Sequence, residues 1–215
     1  MQVVLRICTL VLFAALATSA QSVTGSYRGG LISPPLPKPA FTLTDTSGEP
    51  FDFVQKTRGY VTLLFFGYTY CPDQCPMHMG ALSSALKKLP PSVADHIRLV
   101  FVTTDPERDS LATLRRWLDH FDKRFIGLSG NPRAIEAVQR EAGVPVAVKS
   151  GASATYQVAH ANFVIAYTMD EMAHVLYPGG VAKDDWIHDL PLLLHETWGR
   201  ESYRPVLSPP ASQSR

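Results

Sequence analysis

The chain of 215 residues has no excess of charge of either sign. Lys and Arg number 20 against 19 Asp and Glu, so there is no basic field to drive nucleic-acid binding. Three cysteines are too few for a scaffold held together by disulfides. The hydrophobic share of 46% is that of a globular protein with a sizeable core. These features exclude a nucleic-acid binder, a polytopic membrane protein and a small disulfide-rich toxin or growth factor.

Residues 1–20 have the pattern of a signal peptide. Arg6 precedes an apolar run from Ile7 to Ala17, and small residues follow at 18–20. The run is shorter than the ~20 residues of a spanning helix, which favours a cleaved signal over a short membrane anchor. Without an Arg-rich amphipathic stretch, a mitochondrial presequence is disfavoured. The sequence therefore predicts export to the periplasm or cell envelope, with membrane anchoring by the N-terminus as the alternative.

At ~150 residues per domain, the length predicts one domain with extensions. Residues 21–40 contain Gly29-Gly30 and four prolines and predict an extended linker. The domain is expected over 41–200 and a flexible tail over 201–215. Because Cys8 lies in the signal run, the mature domain keeps only Cys71 and Cys75.

Within this domain the hydrophobic pattern alternates between strand and helix. Phe41–Thr44 followed by Ser47-Gly48 predicts a leading β-hairpin. The continuous apolar run Val61–Phe66 is typical of a central strand buried on both faces. Further strands are expected at 97–102, 126–128, 163–167 and 174–177. Helices are expected around 82–89, from Asp109 or Ser110 to 121, from Asn131 to Gly143, and from Asp184 or Asp185 to 194. The predicted fold class is α/β, a mixed sheet flanked by helices.

The chemistry is expected directly after the central strand, where Cys71 and Cys75 flank a short turn. Pro76 fits the first position of a helix, which puts Cys75 near an N-cap, where a thiolate is stabilised and its pKa falls. A disulfide closing so short a loop adds little stability. A redox-active or metal-binding pair is therefore favoured over a purely structural disulfide.

Two sulfurs alone make an incomplete metal site. Soft sulfur with one imidazole suits Cu(I) and also holds Cu(II), whereas a structural zinc site needs a fourth protein ligand. Among the histidines, His160 leads into an apolar strand. His78, two residues after Pro76, most often faces water in such a position, and surface positions are expected for His96, His120, His188 and His195. Met77 and Met79 are expected to pack in the core rather than to assist Cu(I).

Three segments resemble the SCO/SenC family of copper-delivery proteins: FGYTYCPDQCP over 66–76, TDPERD over 104–109, and the spaced Tyr156-x-Val-x-His160. The resemblance implies a thioredoxin-like fold and copper, as Cu(I) or Cu(II), bound by Cys71, Cys75 and His160. It also implies that Asp105 tunes the site from behind the ligands, although Asp105 also fits a turn residue ahead of Pro106.

The same resemblance implies a function. It is copper delivery to the CuA centre in the copper-bearing subunit of cytochrome c oxidase, or reduction of that centre's cysteines; another copper chaperone is a further partner. The family pattern has Asp before and Ser or Thr after the histidine, where this chain has Ala159 and Ala161. This departure predicts weaker polar support for the imidazole.

Three other functions compete with copper delivery. A thiol-disulfide oxidoreductase would use the cysteine pair directly, although its usual spacing is two residues and here it is three. A peroxidase on the same fold is the second alternative. Peroxiredoxins carry Thr three residues before the reactive Cys, whereas Thr69 lies two before Cys71, so the match fails. A passive interaction domain leaves the cysteine pair unexplained.

Overall fold

A computed structural model describes residues 27–151, 156–196 and 198. The signal predicted over 1–20 and the tail predicted over 201–215 lie outside these residues. In the part that is described, no helix is both long and apolar enough to cross a membrane.

Ten strands and six helices are described. The strands are β1 Gly30–Pro37, β2 Thr42–Asp45, β3 Pro50–Asp52, β4 Val61–Gly67, β5 Ile97–Thr103, β6 Ile126–Ser129, β7 Val148–Ser150, β8 Gln157–Ala159, β9 Phe163–Tyr167 and β10 Met172–Pro178. The helices are α1 Phe53–Thr57, α2 Gln74–Leu86, α3 Pro91–Ala94, α4 Leu111–Asp119, α5 Pro132–Glu141 and α6 Lys183–His195.

Eight of the strands form one mixed sheet in the order β1-β10-β9-β4-β5-β6-β2-β3. β4 pairs in parallel with β5 and β5 with β6, whereas β9 runs antiparallel to β4. All seven residues of β4 are buried, as expected for a central strand covered on both faces. The mixed sheet and the hairpin of β2 and β3 confirm the α/β class predicted from the sequence.

The side chains of β4 alternate between two hydrophobic clusters. Leu63 and Phe65 lie in the cluster that contains α2, α4 and α6 residues, while Leu64 and Phe66 lie in the one packed against α5 and the hairpin. This alternation follows from the two-residue period of a strand. The sheet is thus fixed from both sides, and the C-terminal end of β4 is a rigid base for the loop that follows.

The predicted helix starts agree with the structure at two positions and differ at a third. The side chains of Ser110 and Asn131 cap α4 and α5 by accepting backbone N–H groups. The last helix begins at Lys183 rather than at Asp184 or Asp185. Asp185 instead accepts the Ala182 N–H at 3.0 Å, as an acidic side chain in a first turn does.

The predicted linker over 21–40 is wrong for Gly30–Pro37, which form strand β1 at the sheet edge, paired with β10. Prolines lack the N–H that a ladder needs, so they are tolerated only where one side of a strand is unpaired. The register shifts between Leu31 and Leu36, across the proline-containing stretch. The other predicted domain boundaries stay predictions.

Two glycines near helices should respond oppositely to substitution by alanine. Gly143 ends α5 with φ +69°, so Gly143→Ala should lower the free energy of unfolding by about 1 kcal/mol. Gly80 lies inside α2 with open space around a built Cβ, so Gly80→Ala should raise it by about 0.5–1 kcal/mol. Urea unfolding followed by circular dichroism measures both. A loss in both variants would contradict this account.

Candidate metal centre

The cysteine loop begins where β4 ends. The Cys71 N–H donates to the Tyr68 carbonyl at 3.2 Å, and α2 begins at Gln74 with Asp73 as its N-cap. Cys75 is therefore the second helical residue and Pro76 the third, two positions later than the sequence predicts. Proline fits there because the N–H groups of a first helical turn have no intrahelical acceptor.

Folding brings His160 beside both cysteines. One ligand atom each from Cys71, Cys75 and His160 all lie within 4.8 Å of one another. Cys75 Sγ is 3.5 Å from His160 Nε2, and His160 Nδ1 lies 2.9 Å from the Ala161 carbonyl. In the neutral imidazole, a protonated Nδ1 that donates to that carbonyl leaves the lone pair on Nε2, which faces the sulfur.

The two thiols have opposite pKa shifts. Hydrogen bonding from the Cys75 thiol, with help from His160 and from the Cys75 backbone N–H, lowers the pKa of Cys71 to about 4. Burial raises the pKa of Cys75, whose side chain is 0% exposed. The sequence-based expectation of a lowered pKa at Cys75 is wrong, because burial outweighs the helix terminus. The Cys75 N–H, 3.5 Å from Cys71 Sγ, stabilises the neighbouring sulfur instead.

Close packing fixes the buried sulfur and the imidazole. A Cβ at Gly67 would lie 2.7 Å from Cys75 Sγ, so only glycine leaves room for the sulfur at the end of β4. The His160 ring meets Tyr68 and Phe65 edge-on, with centroids 5.6 and 6.0 Å away. The imidazole is thus confined by aromatic walls rather than by polar neighbours.

Asp109 holds the cysteine loop from behind. Its carboxylate accepts the Thr69 backbone N–H at 3.0 Å, the Thr69 hydroxyl, and the Thr103 hydroxyl at 2.7 Å. Burial raises the pKa of Asp109. From the sequence it was expected only as a possible helix start, and nothing in the local pattern signals that it reaches back 40 residues to Thr69.

Asp105 is fully buried. It pairs with Arg108 and accepts the Tyr156 hydroxyl at 2.6 Å. Arg108 in turn donates to the Tyr156 carbonyl at 3.0 Å. Asp105 therefore contacts the residue just before β8, the strand that leads into His160, and its tuning role stays a proposal.

The predictions for the remaining histidines and methionines are partly confirmed and partly wrong. His96, His120, His188 and His195 are exposed, as predicted. The prediction that His78 faces water is wrong: its side chain is 2% exposed and Nε2 lies 3.1 Å from Asn162 Oδ1. Met79 is buried in the core as expected, whereas Met77 is 53% exposed.

Comparison with known proteins identifies a matching family model and several similar solved structures. The family model described as SCO1/SenC matches residues 32–194. The solution structure of apo Sco1 from Thermus thermophilus is 32% identical with a TM-score of 0.71, covering 80% of this chain and 99% of that one. Copper-bound ScoI from Bradyrhizobium japonicum is 31% identical with a TM-score of 0.65, covering 74% and 99%. These neighbours confirm the expected thioredoxin-like fold.

A SCO2-like protein of Rickettsia conorii is 40% identical over 98 residues, which are 46% of this chain and 47% of that protein. The matches to other SCO2-like proteins of Rickettsia cover 47% to 64% of their lengths. The chain thus aligns with about half to two thirds of these curated relatives.

The pKa difference predicts selective alkylation of one cysteine. At pH 6, iodoacetamide should label Cys71 well before Cys75, because a thiolate reacts and a buried thiol does not. The Cys71 rate should stay level between pH 5 and 8 and fall as the pH drops through about 4. Peptide mass spectrometry measures both sites.

Cys75→Ala serves as the matched variant. It removes the thiol hydrogen bond, so the pKa of Cys71 should rise and its labelling should begin to fall at a higher pH than in the unaltered protein. At pH 6 the rate should drop about tenfold for each unit by which the pKa exceeds 6. Equal labelling of the two cysteines at pH 6 in the unaltered protein would contradict the assignment.

Proposed function

Because the chain belongs to the SCO1/SenC family, whose model matches residues 32–194, we propose that it is a copper metallochaperone. It binds one copper ion through Cys71, Cys75 and His160 and delivers the ion to the CuA centre of cytochrome c oxidase during assembly. The copper-bearing subunit of the oxidase is the proposed acceptor. The proposed location is outside the cytoplasm, with residues 1–20 as the export signal or anchor.

The observation that carries the proposal is the convergence of three donor atoms within 4.8 Å from segments 85 residues apart. Two sulfurs and one imidazole match the preference of Cu(I) for soft ligands and still accommodate Cu(II). A closed structural zinc site would take four ligands. The copper-bound state of the 31% identical ScoI from Bradyrhizobium japonicum supports the same cargo here.

Because the two cysteines are unequally buried, copper binds to them and leaves them in a fixed order. Cys71 is the partly exposed sulfur, and its lowered pKa makes it a thiolate at neutral pH. It is the first ligand that an incoming Cu(I) meets. Cys75 then loses its proton to become the second ligand, since metal binding requires the thiolate, and His160 Nε2 completes the site. Release runs in reverse, as acceptor thiolates replace Cys71 first.

Copper binding should be stoichiometric and depend on each of the three side chains. We expect one copper per chain after gel filtration, and less than half of that in Cys71→Ser, Cys75→Ser and His160→Ala, because a two-ligand site exchanges copper readily. His174→Ala is the control, since His174 lies on β10 toward the opposite end of the sheet. Stoichiometric copper in His160→Ala would show the three-ligand site to be wrong.

A second candidate function is thiol-disulfide exchange, which the pKa difference favours. The Cys71 thiolate would attack a disulfide of the partner and form a mixed disulfide, releasing one partner thiolate. Cys75, after losing its proton, would attack Cys71 Sγ and release the second partner thiol. The partner disulfide is reduced and a Cys71–Cys75 disulfide forms. In this reaction His160 need not bind metal.

Reduction of an oxidised CuA-site peptide by the metal-free protein separates the two functions. If thiol exchange dominates, His160→Ala should still reduce the peptide, since the Cys75 thiol contributes more than His160 to the lowered pKa of Cys71, and Cys71→Ser should not reduce it at all. If copper delivery dominates, His160→Ala should fail to transfer copper to the reduced peptide. Mass spectrometry of the peptide follows both reactions, and His120→Ala, an exposed substitution, is the control.

A further inference from the structure

A polar cluster joins the turn that carries His160 to the helix that carries Cys75. Asn162 Oδ1 lies 3.1 Å from His78 Nε2, and Asn162 Nδ2 donates to Gln74 Oε1 at 2.9 Å. Gln74 and His78 are four residues apart on α2, so they present neighbouring side chains. These three residues are called the Asn162 clamp below.

The donor and acceptor roles in the clamp are fixed by its geometry. Because Asn162 Nδ2 donates to Gln74, its Oδ1 is the acceptor, and His78 Nε2 must carry the proton. His78 Nδ1 is buried and has no hydrogen-bond partner in the described part of the chain. Burial lowers the pKa of His78, which agrees with a neutral ring held in one tautomer.

A glycine leaves the space in which Asn162 sits. A Cβ at Gly179 would lie 2.0 Å from Asn162 Nδ2 and 3.0 Å from Gln74 Oε1. Gly179 follows β10 and has no positive φ that would require glycine. Close approach to the amide is therefore the reason for glycine here, and Asn162 is held between α2 and the turn after β10.

The turn itself offers His160 little polar support. The one hydrogen bond of the His160 ring within the turn is to the adjacent Ala161 carbonyl, and Ala159 and Ala161 have no polar side-chain atoms. A metal-binding imidazole needs a fixed orientation, which outer polar groups normally supply.

We propose that the Asn162 clamp positions His160, by fixing the 160–162 turn on α2 so that Nε2 faces the sulfurs of Cys71 and Cys75. This role rests on the proposed function, in which His160 is a copper ligand. His78 and Asn162 are positioning residues and do not bind the metal. A histidine that only filled the core would also need a hydrogen-bond partner, so an effect of His78 on His160 is what distinguishes the two roles.

A double-mutant cycle on Cu(I) affinity, measured by competition with a Cu(I) chelator, tests the role. His78→Leu should weaken affinity, by no more than the roughly 10- to 100-fold that loss of a ligand's direct hydrogen-bond partner causes, because His78 acts on His160 through Asn162. In the His160→Ala background, where two thiolates still bind Cu(I) weakly, His78→Leu should change nothing. His78→Gln, which keeps a donor near the Nε2 position, should restore most of the affinity.

Two further variants guard against a general loss of structure. Gly179→Ala keeps all three clamp side chains but displaces Asn162 and crowds Gln74, and it should weaken affinity like His78→Leu. His174→Leu removes another buried histidine, paired with Asp170, and should leave affinity unchanged. Equal loss from His78→Leu with and without His160, or no loss from both His78→Leu and Gly179→Ala, would overturn the proposal.

Nuclear magnetic resonance of the metal-free protein separates failure of the clamp from failure of the proposed function. The ¹⁵N shifts of His160 should report protonated Nδ1 in the unaltered protein and in His78→Gln. They should report exchange between the two tautomers in His78→Leu and Gly179→Ala. Unchanged His160 shifts in both of these variants would refute the clamp, whether or not copper binds. If affinity for copper is independent of His160 while the shifts respond, the clamp stands and the copper site fails.

Discussion

The contact between Cys75 Sγ and His160 Nε2, 3.5 Å apart, is the constraint on which the rest of the site depends. It exists because β9 pairs antiparallel with β4 in a register that sets Val164 opposite Phe65. The residues just before β9 therefore lie beside the end of β4, where the cysteine loop begins. A shift of one residue would turn every β9 side chain to the other face, so the two hydrophobic clusters that hold this register also hold the candidate metal centre.

The sequence predicts what is decided locally. The central strand is visible in the continuous run Val61–Phe66, the caps in Ser110 and Asn131, and the helix end in Gly143, since a short range of residues determines each. Strand β1 was missed because its pairing with β10 involves residues about 140 positions away, and its prolines favour a loop reading unless the strand is known to lie at an edge.

The same distinction, between features decided locally and features that depend on distant parts of the chain, applies to the candidate site. The cysteine spacing and the His160 motif point to the three converging residues. The order of the thiol pKa values does not follow from spacing, because it depends on how far each sulfur is buried, and Cys75 is covered by chain that folds onto it from elsewhere. The burial of His78 was missed for the same reason, since its partner Asn162 is 84 residues away.

The carboxylates near the candidate metal centre, Asp105 and Asp109, hydrogen-bond the surrounding chain rather than the sulfurs or the imidazole. Electrostatics explain this arrangement. A carboxylate next to a sulfur would oppose formation of the thiolate, and Asp109 contributes in this sense to the raised pKa of Cys75. Asp109 is nevertheless retained, because it holds Thr69 and Thr103 and so fixes the loop. Neutral donors and aromatic edges surround the sulfurs and the imidazole instead. In the proposed copper site, Cys75 keeps its proton until the metal displaces it, so loss of the buried proton is coupled to arrival of the metal.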